Sequence, residues 1–361
     1  MQHKMIRKDQ LHFLLYGSLT LLAAIFVTLT ILPEDESGPA PPLIEEDGAL
    51  NIQSLQNIAP RGQSDAILPV PAPPPEEFQS GKVLLGEKLF HDPNLSADGT
   101  ISCATCHILS HGGADRNKIA IGIGNALGVY NAPTVFNAIL NVYQFWDGHA
   151  TTLVGQVSGP LTNIAEMASD WTLAVRRVSE NHEYRKAFDL EYNGEISERT
   201  ITDAIVRFEA TLLTPNAPFD RFLNGDTTAI SDEAKEGYRR FTDFGCVSCH
   251  QGINVGGNFF QRFGVMGDYF ADRGNITRAD LGRYNVTGRE EDRYVFKVPG
   301  LRNVAVTAPY FHDGSADTLD KAIEIMGRYQ LERELTKEDR RYIAAFLESL
   351  TGEYRGEQLK P

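Results

Sequence analysis

The sequence predicts a mainly α-helical protein built as two related units behind an apolar N-terminal stretch. Three observations carry this: several segments with helical periodicity and few convincing strands, an internal repeat in constant register, and a change of texture near residue 80. "TITDAIVRFEATLL" sets Ile201, Ile205, Phe208 and Leu212 at helical spacing. Ser231 precedes the helical "DEAKEGYRRF". Thr336 with Asp339 makes a box-like start for "KEDRRYIAAFLESL", in which Tyr342, Ile343, Phe346, Leu347 and Leu350 share one face, and Gly352 is the stop signal. Long loops rich in Gly, Asn and Pro separate these segments.

From the N-terminus, the uncharged stretch Leu11 to Leu32 would cross a ~30 Å hydrocarbon core as a helix rising ~1.5 Å per residue. Lys4, Arg7 and Lys8 precede it while Glu34, Asp35 and Glu36 follow, so the positive-inside rule keeps the tip, residues 1–33 with the anchor, at the cytoplasmic side. The expectation is an inner-membrane anchor with the catalytic part in the periplasm. A cleaved signal peptide is the alternative, though the run is long for one and no small-x-small site follows closely. Residues 34–79, with "SGPAPPLIEEDG" and "PVPAPPPEEF", read as a disordered Pro- and acid-rich linker with too few aromatics to build a core.

A net charge of -14 over 361 residues, with no long basic run, argues against nucleic acid as a partner. An acidic surface suits a basic protein partner better. Whether a second copy of the chain is a partner, as a homodimer, the sequence leaves open.

The repeat sets "APTVFNAILNVYQFWDGHATTL" (132 to 153) against "VPGLRNVAVTAPYFHDGSADTL" (298 to 319) without a gap. Pro133 meets Pro299, Asn137 meets Asn303, Phe145 meets Phe311, Asp147-Gly148 meets Asp313-Gly314, Ala150 meets Ala316 and Thr152-Leu153 meets Thr318-Leu319. Identities at fixed spacing imply duplication, with units at about residues 80–225 and 226–361.

Each unit opens with one Cys-x-x-Cys-His, Cys103, Cys106 and His107 in the first, Cys246, Cys249 and His250 in the second, and these pairs use all four cysteines. Thiols three apart can add across the two vinyl groups of a haem while the next histidine ligates iron, the c-type attachment pattern. A four-cysteine zinc site and a dithiol redox pair are the competitors. Neither explains a histidine after both pairs.

The units differ where a sixth ligand would stand. Met326 lies seven residues beyond Leu319, while seven beyond the matching Leu153 is Pro160. Met326 is also a core residue by periodicity, but a thioether next to a haem closes the iron and suits electron transfer. His111 sits four residues after His107 and reads as an ordinary polar residue, because on a helix both would face the same side of the macrocycle. Glu166 lies six beyond Pro160, next to Met167, and Gln156 four before it. Opposite an open iron, a carboxylate in a dry pocket can take a proton from one peroxide oxygen and return it to the leaving one.

With these residues in view, the chain resembles the bacterial di-haem cytochrome c peroxidases. The likeness runs through "LGEKLFHDPNLSADGTISCATCH", "NAPTVFNAILNVYQFWDG", "GCVSCH", "VPGLRNVAVTAPYFHDG" and "IMG". It implies two cytochrome c-like domains, a peroxidatic haem in the first and an electron-accepting haem in the second, and reduction of hydrogen peroxide with electrons from a small periplasmic cytochrome c or cupredoxin. By position it makes Glu166 the acid-base residue, Gln156 its pocket neighbour, Met326 the second haem's ligand and Trp146 the tryptophan between the haems. Asn131, Thr307 and Pro309 match positions that hold calcium in the family, through one side-chain amide oxygen and two carbonyls. One departure stands out: many members have "IGHG" where this chain has "IGIG", so Ile123 replaces the histidine that caps the peroxidatic iron. The first iron is therefore expected to be open. A methylamine-utilisation-type oxidase of a protein substrate is the rival enzyme; its second haem is closed by tyrosine, against Met326. A non-enzymatic electron carrier would need both irons closed.

Overall fold

The chain is described here from a computed structural model, which covers residues 66–360. Helices dominate, as the periodicity predicts. Those of ten residues or more are α1 (Gly81–Phe90), α2 (Leu153–Thr162), α3 (Trp171–Glu180), α4 (His182–Tyr192), α5 (Glu198–Ala210), α6 (Asp232–Asp243), α7 (Leu319–Leu331) and α8 (Lys337–Glu348). Strands are confined to two antiparallel pairs: β1 (Phe260–Arg262) with β2 (Val295–Lys297), in register Phe260 to Lys297, and β3 (Glu353–Tyr354) with β4 (Glu357–Gln358).

Side-chain caps start the helices where the sequence places them. Ser231 accepts from the Ala234 amide at 3.1 Å, and Thr336 and Asp339 bond reciprocally across the first turn of α8. Ile343, Phe346, Leu347 and Leu350 are buried, although α8 ends at Glu348 and Leu350 belongs to the turn that follows. Ile201, Ile205, Phe208 and Leu212 are buried likewise, Leu212 again just beyond its helix. The apolar stripe thus outlasts the helix in both cases, because the exit turn folds back onto the same core.

The duplication is visible in the packing. α1 crosses α5 at Gly86, where a Cβ would lie 1.8 Å from the Ala204 carbonyl oxygen. α6 crosses α8 at Gly237, where it would lie 1.9 Å from that of Tyr342. Both pairs need backbone-to-backbone approach that only glycine permits. The repeated loops match as well. Asn137 and Asn303 take left-handed conformations at φ 61° and 62°, Phe145 and Phe311 do so at 66° and 72°, and Thr152 and Thr318 cap α2 and α7.

Two expectations are corrected. Residues 66–73 were expected within a linker unable to join a core, yet Ile67 is fully buried, bridges to Gly252, and Val70 is buried too. The apolar "AILPV" gains more by burial than the flanking prolines cost in backbone donors. The membrane-anchored placement is the second. Among the described residues no helix is long and apolar enough to cross a membrane. The longest, α5 and α7, have 13 residues, about 20 Å at ~1.5 Å per residue against a hydrocarbon core of about 30 Å. Residues 11–32 themselves lie outside the described residues, and the inner-membrane placement is withdrawn.

Gly237→Ala is expected to destabilise the protein by about 3 kcal/mol, since its methyl group meets backbone rather than a mobile side chain. Urea unfolding of the two proteins checks this; equal midpoints would show that the α6–α8 crossing has slack.

Candidate active site

The two Cys-x-x-Cys-His segments are built alike. In the first, Ser102 caps a single helical turn, Cys103–Cys106, its amide held by Thr105 Oγ1 at 2.9 Å. The His107 amide bonds the Cys103 carbonyl at 2.9 Å, as the His250 amide bonds that of Cys246 at 3.0 Å. Each imidazole then donates Nδ1–H to a backbone carbonyl: His107 to Gly113 and His250 to Val255, both at 3.3 Å. That bond fixes the tautomer and leaves Nε2 as a lone-pair donor. Burial lowers both pKa values, that of His250 to about 4, so the neutral, ligating form prevails. His111 is exposed in a 3-10 turn, Leu109–His111, that follows the end of the helical turn. The helix that would have put it beside His107 does not form, and it remains an ordinary polar residue.

The cysteines do not form a common metal centre. Among the described residues, Asp280, His312 and Asp313 form the only group of three or more metal-binding side chains whose ligand atoms converge. Burial pushes the thiols of Cys103 and Cys106 up to about 12 and that of Cys246 to about 11, the opposite of what a reactive dithiol redox pair needs.

His250, Cys246, Cys249 and Met326 line one cavity of about 470 Å³. Met326, half-buried on α7, and His250 thus share a space of cofactor size, with Phe241, Ile343 and Leu347 among its apolar walls. These residues fit a haem, which the cysteines and His250 would hold and to which Met326 would offer a thioether. Asn131, Thr307, Pro309 and Trp146 line the same cavity. Trp146 donates its indole N–H to the Asn131 carbonyl at 2.9 Å, and the Asn131 amide bonds the His312 carbonyl at 2.8 Å.

Around the first motif a different set gathers. The Cys106 sulfur lies 4.0 Å from the Ile121 carbonyl, and the Ile123 amide bonds the Glu166 carbonyl at 2.8 Å. Gly122 permits this: a Cβ there would sit 2.1 Å from the Ala165 carbonyl oxygen. The IGIG loop therefore clamps the Glu166 turn close enough for the carboxylate to be felt by Cys106. Asn163 donates to Glu166 Oε1 at 2.7 Å. Burial raises the Glu166 pKa, with the Asn163 bond and nearby His149 opposing it. Gln156 is half-buried on α2, and among the described residues its carboxamide makes no hydrogen bond to Glu166.

Three features escaped the sequence reading. His312, the register mate of Trp146, packs edge-on against it at 6.4 Å between centroids and is bonded to buried Asp280 at 2.8 Å. The repeat alignment held that signal. His149 stacks on Phe145 at 3.9 Å and bonds Asp147 at 2.6 Å. Lys297, buried in β2, lines the cavity of His250. Nothing in its local sequence marks it.

Comparison with known proteins bears directly on this arrangement. The chain is 45% identical over 291 residues to the cytochrome c551 peroxidase of Nitrosomonas europaea, an alignment covering 80% of this chain and 85% of that one. It belongs to the di-haem cytochrome c peroxidase family. Residues 80–228 match the model of that family. The cytochrome c peroxidase Ccp of Escherichia coli (strain K12) is 49% identical over 299 residues, 82% of this chain and 63% of its own length. A solved MauG-like protein associated with microbial copper homeostasis superposes with a TM-score of 0.70 at 26% identity, covering 81% of this chain and 96% of that one. Membership makes the chain a peroxidase-type oxidoreductase with two haems.

Glu209 on α5 is 5% exposed, has no partner for Oε2 among the described residues, and raises the pKa of Cys103. Burial lifts its own pKa from 4.5 to about 8. The folded state keeps this proton where the unfolded chain has lost it, so stability falls as pH rises from about 4.5 to about 8. Glu209→Gln is expected to remove that contribution, which has a slope of about 1.4 kcal/mol per pH unit. Urea midpoints measured across the window check it, and parallel curves for parent and variant would contradict it.

Proposed function

We propose that the chain reduces hydrogen peroxide to water at a peroxidatic haem held by His107, within residues 80–225, and feeds it electrons through a second haem held by His250 and Met326, within residues 226–361. The observation that carries this reading is the inequality of the two repeats. Met326 shares a cavity with His250, whereas its counterpart is Pro160, and near Cys106 stand the Ile121 carbonyl and Glu166, the latter bonded through its own carbonyl to the Ile123 amide. Cys103, Cys106, Cys246 and Cys249 would hold the haems as thioethers. When bound, the haems supply one-electron chemistry and, at the first, a position for peroxide.

The protein's part is proton handling and order. Glu166, held by Asn163 and partly withdrawn from water, takes the proton from the attacking peroxide oxygen and hands it to the leaving one. A raised pKa suits this double role, because a carboxylate of ordinary acidity would keep no proton to return near neutral pH. Gln156 orients the oxygens. Two electrons and two solvent protons complete the conversion of one peroxide to two waters. Trp146, anchored through Asn131 and packed against His312, is the path between the haems. Asn131, Thr307 and Pro309 would take a calcium ion beside that path. The donor is a small cytochrome c or cupredoxin. A methylamine-utilisation type of reaction is disfavoured by Met326 where tyrosine would be required, and a pure carrier by the absence of a sulfur or imidazole ligand at Pro160 and Ile123.

Two outcomes test this. Glu166→Gln is expected to lower peroxide turnover at least ~100-fold with both haems still attached; full activity would remove Glu166 from the mechanism. Resting-state EPR of the ferric protein is expected to show a high-spin first haem and a low-spin second. Two low-spin signals would mean that a protein ligand closes the first iron and would favour the carrier reading.

A further inference from the structure

Among the described residues lining the cavity of His250, not one is an aspartate or glutamate, while Lys297, Arg302, His250 and His312 all face it. Arg302 is already committed: it pairs with Asp220 at 2.6 Å and donates to the carbonyls of Ile253 at 3.0 Å and Leu68 at 2.7 Å. His312 is bonded to Asp280 and His250 to Val255. Lys297 is different. It is 7% exposed, and among the described residues its ammonium has no hydrogen bond or ion pair. Its backbone amide is tied to the Trp146 carbonyl at 2.9 Å and its strand is fixed by pairing with Phe260, so the residue is held at this wall.

An ammonium on the wall of a cavity with no carboxylate among its described lining residues favours an anionic occupant. Burial alone drives its pKa down to about 8, with no carboxylate of the protein opposing the fall. A haem carries two propionate carboxylates and is the anionic group of matching size for this space. We propose that Lys297 is the counter-cation of a propionate of the second haem and raises that haem's affinity for an electron. Positive charge beside the macrocycle favours the ferrous form, which has one positive charge fewer than the ferric. The lysine also hangs from the carbonyl of Trp146, so the same strand that sets the potential abuts the proposed path to the first haem.

This rests on the cavity being the second haem's site. That reading fails on its own terms if mass spectrometry of the purified full chain finds no haem on the Cys246–Cys249 peptide, a result that does not involve Lys297. Given both haems, optical spectroelectrochemistry of the parent, Lys297→Gln and Lys297→Arg, at low and high chloride, gives the second haem's midpoint potential. The Gln variant is expected to bind the electron about tenfold less tightly, a fall of about 59 mV, while the Arg variant stays near the parent and chloride has no effect. An unchanged potential in Lys297→Gln, or a shift that exists only with added chloride, overturns the assignment, the second by identifying a diffusible anion. Should the Gln variant not mature, redox-induced infrared difference spectra of parent and Lys297→Arg decide. A displaced propionate band in the Arg variant supports the pairing, and identical bands overturn it.

Discussion

The two repeats hang on one buried polar junction. Thr214 stands between Asn137 and Asn303, all three with no exposure; its hydroxyl accepts from the amides of Asn137 at 2.8 Å and Asn303 at 3.0 Å, and its backbone N–H bonds Asn137 Oδ1 at 3.0 Å. The Asn303 oxygen in turn takes the Gly352 amide at 3.0 Å. Each asparagine is left-handed, and each backbone amide bonds the leucine carbonyl that follows the last long helix of its unit, Leu212 or Leu350. A buried network of this kind is stable only when every member is satisfied, which pins both loops in one geometry. The loops that carry Trp146 and His312 leave from these two asparagines.

On that common frame the chemistry is divided by small local changes. Both histidines are prepared identically, Nδ1 to a carbonyl and Nε2 free. Their surroundings differ: the His250 cavity is shared with the Met326 thioether on α7, while near Cys106 the IGIG loop is locked by Gly122 against the turn that holds Glu166. A carboxylate gains a raised pKa from partial burial, and keeps its orientation from Asn163. Neither effect needs a new fold. They need a loop short enough to press on the acid and a helix whose eighth residue carries no sulfur.

Charge is sorted with the same economy. The acid lies at the first site, while the cavity of the second is lined by cations and imidazoles, of which, among the described residues, Lys297 keeps its side-chain capacity free. The junction between them is aromatic, Trp146 against His312 against Phe296, and held by Asp280, whose carboxyl burial would raise but whose bonds from His312 and Arg273 bring well below the ordinary range. The result is a rigid aromatic contact fixed by buried charged hydrogen bonds.

The sequence by itself determined the helical class, the duplication, both attachment motifs and the Met326 and Pro160 contrast, because these depend on spacing along one chain. Helix caps at Ser231 and Thr336 were legible for the same reason: a cap is a contact within four residues. It misjudged residues 66–73, where composition pointed to a tether and burial against a distant segment drew Ile67 and Val70 into the core. Only the tertiary structure decided that Ile123 grips Glu166, that Trp146 meets its own register mate, and that the strand of Lys297 is tied to the Trp146 carbonyl at the cavity wall. Each of these joins residues scores of positions apart, and the energy that selects them, desolvation and close packing, does not exist until the chain has closed on itself.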